Sequence, residues 1–135
     1  MDERDYIRKF TGDGAVLMDE NDPGWYAGIS KSRLNMASLK NCIGGQRRGS
    51  FQEAMRVFGI TDSVILGFRL IPEQMGVFES WDEAWDFLDE CWIREINRRL
   101  MADQIVALAI ILCLGSWMRH VSLKKEPLAL LTCEC

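Results

Sequence analysis

Between residues 81 and 96 the apolar side chains Trp81, Ala84, Trp85, Leu88, Cys91, Trp92 and Ile96 recur at steps of three and four. That spacing puts all seven on one side of an α-helix and leaves the rest of the circumference polar. Ser80-Trp81-Asp82-Glu83 supplies the start, a serine and a glutamate three residues on, each able to satisfy a backbone donor of the first turn. Acids (Asp82, Glu83, Asp86, Asp89, Glu90) crowd the first half and bases (Arg94, Arg98, Arg99) the last, the order that the helix dipole favours. A helix over about 81–100 with three tryptophans on one face belongs in the centre of a core, and any other element has to pack on it.

Upstream the signals are shorter. Tyr6, Ile7 and Phe10 cluster on one side of a helix over 2–10, which Gly12 is expected to end, and Asp13 is placed to cap a second turn through Ala15–Met18. Asp22-Pro23-Gly24 reads as a turn, with Pro23 opening the next helical turn as the alternative. Gly44, Gly45 and Gly49 argue against a regular element in 30–50. Ser50-Phe51-Gln52-Glu53 is a second capping box, Phe51, Met55 and Phe58 follow at helical spacing, and Gly59 stands where a helix end wants a left-handed residue. Over 64–71 a short helix capped by Thr61-Asp62-Ser63 competes with an extended piece ending at Pro72. The fold class that follows is mainly α: a small single-domain helical fold with a long C-terminal amphipathic helix and a minor extended segment near 64–71 as the alternative. The division expected is a helical domain over 1–100 and an apolar helical segment and tail over 101–135.

That segment is apolar all round from Ile105 to Gly115, and its uncharged window, Gln104 to Met118, is 15 residues long. A membrane-spanning helix needs about 20 apolar residues, with about 17 as a lower limit. The flanks nonetheless resemble membrane flanks: Arg98 and Arg99 before, then Trp117, Arg119, His120, Lys124 and Lys125. A buried core helix or a self-association surface is the preferred reading, with insertion through 104–118 the alternative. Lys124-Lys125-Glu126-Pro127 is expected as a break.

Charge narrows the function classes. Residues 31–56 hold six bases (Lys31, Arg33, Lys40, Arg47, Arg48, Arg56) against Glu53 alone, whereas the chain as a whole carries −4. This stretch is the candidate nucleic-acid footprint, but a solvated loop that balances its acidic neighbours is preferred, since no basic excess extends over the domain. Five cysteines, an odd number at irregular spacing, and a charged N-terminus without an apolar signal core fit a reducing intracellular setting.

Chemistry-bearing patterns are sparse. Gly44-Gly45-Gln46-Arg47-Arg48-Gly49-Ser50 has phosphate-loop glycine spacing, yet Ser50 stands where the lysine belongs. What remains is a tentative anion or partner site at Arg47, Arg48 and Lys40 beside the start of the 51–58 helix, with exposed arginines on a glycine turn as the preferred reading. His120 would need a cysteine such as Cys42 beside it to form a nucleophile pair, and nothing indicates one. Cys133-Glu134-Cys135 would hold a metal only with ligands from elsewhere, and a free tail is preferred. The paired acids Asp19/Glu20, Asp82/Glu83 and Asp89/Glu90 fall on expected solvent faces, away from any pocket that would shift their acidity. No catalytic residue, metal or cofactor is assigned.

Taken in order, Gly14-Ala15, Leu17-Met18-Asp19-Glu20, Pro23-Gly24-Trp25, Ile29, Leu34-Asn35-Met36-Ala37-Ser38, Cys42-Ile43-Gly44-Gly45-Gln46, Gly67-Phe68 and Trp92-Ile93-Arg94-Glu95-Ile96 with Arg98-Arg99 form a pattern. It resembles that of a family of small proteins encoded by actinobacterial bacteriophages, with an LDE-x-x-PGW opening, an LDMAS-like stretch, C-V-L-G-Q and a final W-x-x-x-I-x-x-R helix. The resemblance covers about residues 13–100. Here C-V-L-G-Q becomes Cys42-Ile43-Gly44-Gly45-Gln46, Gly44 replacing an apolar residue, and the segment after Leu100 lies outside the match. The resemblance implies a phage-encoded accessory protein made inside a bacterial host and carries no activity onto particular residues. Cys42 is then expected as a small buried hydrophobe. The leading expectation is a non-enzymatic protein-binding module that meets a host or phage protein in the bacterial cytoplasm. The alternatives are a membrane tether through 104–118 at the inner membrane and a nucleic-acid binder through 31–56.

Overall fold

Asp2 starts the first helix, α1 (Glu3–Asn21): its carboxylate accepts the Asp5 amide at 2.9 Å while the Asp5 side chain accepts the Asp2 amide. A computed structural model describes the backbone of residues 1–132 and the side chains of 1–122 apart from Met75, and gives this helix 19 residues without interruption. The expected stop at Gly12 is therefore corrected. Ile7, Thr11, Gly14, Ala15 and Met18 form one buried stripe through both glycines, and that burial outweighs the weak helix propensity of glycine. Gly14 is required there, because a Cβ would overlap the Leu66 carbonyl. At Gly67, where φ is 68°, a Cβ would likewise crowd the Thr11 backbone. The chain over 61–71 thus seats itself on α1 as a series of turns. Asp62 accepts the Val64 and Ile65 amides and the Phe68 amide reaches the Ser63 carbonyl, so neither the short helix nor the strand expected there forms.

Asp22-Pro23-Gly24 is a turn with Gly24 at φ of 77°, followed by a 3₁₀ turn over Trp25–Gly28. A second 3₁₀ turn covers Lys31–Arg33. Against expectation, residues 43–48 are helical, as α2 (Ile43–Arg48). Its glycines are places of close approach rather than breakers: Gly44 meets Ala54, and Gly45 meets the Leu39 and Lys40 carbonyls. α3 (Phe51–Phe58) follows as expected, with Ser50 accepting the Glu53 amide at 3.1 Å and Gly59 left-handed at φ of 65°. Glu53 turns to Arg56. After a third 3₁₀ segment, Pro72–Val77, α4 runs from Trp81 to Thr132, past the break expected at Lys124–Pro127. Proline's fixed φ lies in the helical range, and the lost ladder bond together with the ring's clash against the preceding turn is the cost of continuing, about 3 kcal/mol. Among the described residues there is no strand.

Residues Met1–Leu100 form one compact unit and a second begins at Met101. At the heart of the first, Trp92 is fully buried, with Trp25 set edge-on to it at 5.7 Å between ring centres and Phe68 at 5.0 Å. The Trp92 indole donates to the Gly67 carbonyl at 2.7 Å. The tryptophan stripe is core along most of its length: Ala84, Leu88, Cys91 and Ile96 are buried and Trp85 is partly covered. Only Trp81, in the first turn, stands 42% exposed. Cys133 and Cys135, with the metal reading attached to them, lie outside the described residues.

Candidate functional site

The glycine-arginine stretch is built for packing. Cys42 caps α2, its sulfur accepting the Gly45 amide at 3.2 Å, and burial pushes its thiol pKa up. It is therefore a protonated, enclosed thiol, the small buried hydrophobe expected of it. Gln46 joins two loop strands: its Oε1 accepts the Ser30 amide at 2.7 Å and its Nε2 donates to the Ser30 and Asn41 carbonyls. Arg47 forms a two-pronged pair with Asp22, Nε to Oδ2 at 2.7 Å and Nη2 to Oδ1 at 3.0 Å, and this pair holds the Asp22 carboxyl below its ordinary pKa. Arg48 lies over the Phe58 ring at 5.1 Å, and Lys40 is exposed on the preceding loop. The three tentative site residues are thus parted in role: Arg47 is spent within the fold, Arg48 rests on a ring, and Lys40 faces water. Lys31 donates to Asn97 and Arg56 pairs with Glu53, so much of the basic stretch is answered by the protein itself.

A second ionic cluster was not foreseen from the sequence. Arg99 grips Asp19 with Nε and Nη2 at 2.8–3.1 Å and Glu95 with Nη1 at 2.8 Å; the Trp25 indole donates to the same Asp19 at 2.9 Å. The Arg99 hydrogen bonds lower the Asp19 pKa, and Arg99 also lies 5.6 Å from the Trp25 ring centre. The cluster ties the end of α1 to α4. Its members were visible only as separate motif letters.

Asp89 is the other correction. It was expected in water, but it is half-buried beneath the loop that follows Leu34 and accepts the Met36 amide at 2.7 Å. With Asp82, Trp85 and Asp86 from α4 and Leu34, Asn35 and Ala37 from the loop, it lines a groove of about 240 Å³. Burial raises its pKa to about 6, and the charge of Asp86 adds to the rise.

The apolar segment carries the largest exposed surface. From Met101 to His120 every side chain is exposed. Ile105, Leu108 and Ile111 on one side and Val106, Ile110, Leu114 and Trp117 on the other are each more than half exposed, and together these positions go right round the helix. None of this apolar window is buried among the described residues. Counted to include its polar edges, the segment contains an 18-residue window of mean hydropathy 1.9 with no more than two charged side chains, long and apolar enough to cross a membrane.

No family model matches the chain, and neither the curated proteins nor the solved structures compared with it give a match.

Proposed function

We propose that this chain is a non-enzymatic binding module tethered to a membrane by α4 between about residues 104 and 118. The observation that carries the reading is the exposure of the apolar side chains on all sides of that segment. A partner helix covers a stripe; a bilayer covers a circumference. The ends support the same reading. Trp117 suits an interface, Arg119 and His120 follow it, and Arg98 and Arg99 precede the segment. The resemblance of residues 13–100 to phage-encoded proteins supports a bacterial host, with the inner membrane as the site of attachment.

Fractionation of cells expressing the full chain tests this. The protein should remain with membranes through alkaline carbonate washing and be released by detergent. Ile111→Lys places a charge at mid-segment, about 3 kcal/mol unfavourable in lipid, and should shift protein to the soluble fraction. Wild-type chain recovered wholly in the soluble fraction overturns the tether; recovery there as a discrete oligomer would assign the segment to self-association.

A further inference from the structure

The groove under the Leu34–Ala37 loop has an uncompensated charge. Asp82, Asp86 and Asp89 are spaced by four and three residues, so all three carboxylates occupy one face of α4. Asp86 and Asp82 face Asp89 along the helix, while the loop side brings Leu34, Asn35 and Ala37. No basic side chain is among the residues lining the groove. Asp89 has one hydrogen-bond donor, the Met36 amide, where an ionised carboxylate has room for several. A half-buried anion with one donor and the like-charged Asp86 one turn away is at a disadvantage against its protonated form, which retains an oxygen to accept the Met36 amide.

We propose that Asp89, Asp82, Asp86 and the Leu34–Ala37 loop form a proton-responsive clasp, in which proton uptake by Asp89 tightens the loop on α4 and proton loss loosens it. The pKa of about 6 for Asp89 agrees with the geometry and puts the transition in mildly acidic conditions. The clasp is independent of the membrane tether. Opening the loop returns Asp89 to water and to an ordinary acidity, so opening and proton release are linked. The opening equilibrium should increase about tenfold between pH 5 and pH 7.

Carboxyl titration of Asp89 and amide exchange of Met36, both by NMR on the full chain in detergent micelles, read the two halves of the proposal. Asp89 should titrate near pH 6. Met36 protection, corrected for intrinsic exchange, should fall about tenfold from pH 5 to 7. Asp86→Asn should lower the Asp89 midpoint. Asp89→Asn, which mimics the protonated acid, should be at least as protected at pH 7 as wild type is at pH 5 and lose the pH dependence. Titration of Asp89 near pH 4, constant Met36 protection through its titration, or an Asp89→Asn chain less protected than wild type at pH 7 each overturns the clasp.

Discussion

At the scale of single residues, the side chains that looked like candidate chemistry bind the chain to itself. Cys42, Gly44, Gly45 and Gln46 are a cap, two close contacts and a bridge between loop backbones. Gly44 has no room for a side chain, because the Ala54 methyl occupies the space a Cβ would need. Trp92 holds several neighbours at once, since its ring meets Trp25 and Phe68 and its N–H satisfies a buried carbonyl. Trp92→Phe leaves the Gly67 carbonyl without its donor and opens a void beside Trp25. We expect a loss of about 2–4 kcal/mol in denaturant unfolding of the full chain in micelles. Substitution of exposed Lys40 should leave the same midpoint within error.

At the scale of elements, helix identity was legible wherever an apolar stripe and a cap coincided, as over 51–58 and from Trp81. It was illegible where glycine serves contact instead of termination. Gly12 and Gly14 inside α1, and Gly44 and Gly45 inside α2, carry the signal of a stop; Gly14 and Gly45 are there for neighbouring backbone and Gly44 for the Ala54 methyl. The Asp19–Arg99 link and the burial of Asp89 were hidden for a related reason, since both depend on which loop lies over which helix face. These ionic contacts give stability two opposed pH slopes. Asp19 and Asp22 have lowered pKa values, so their contribution is present above about pH 4 and is lost as pH falls through their folded values. Asp89 has a raised value, so its contribution is full below about pH 4 and is lost as pH rises through about 6. Thermal melts across pH should therefore peak at about pH 4 and decline toward pH 6, and Asp89→Asn should flatten the neutral side of the peak.

At the scale of the whole molecule, three thiols report on different surroundings. Cys42 and Cys91 are buried, and burial raises both thiol pKa values, whereas Cys113 is exposed on the apolar segment. In a chain carrying Cys133→Ser and Cys135→Ser, a membrane-impermeant maleimide should leave Cys113 unmodified in intact vesicles and modify all three thiols after denaturation. Modification of Cys113 in sealed vesicles would place it in water and remove the tether. The boundary after residue 100 was drawn from the change in hydropathy pattern. What lies against the apolar segment was not legible, because a run that is apolar on every side satisfies the requirements of a protein core and of lipid alike.

The link between Asp19 and Arg99 also bears on the order of events during synthesis. A chain made from its N-terminus presents α1 first, with Asp19 and the Trp25 indole waiting for a guanidinium encoded 80 residues later. The pair cannot form until Arg99 has left the ribosome, and the next stretch to emerge is the apolar run itself. The residue that completes the Asp19 cluster and the apolar run thus emerge in the same brief interval of translation.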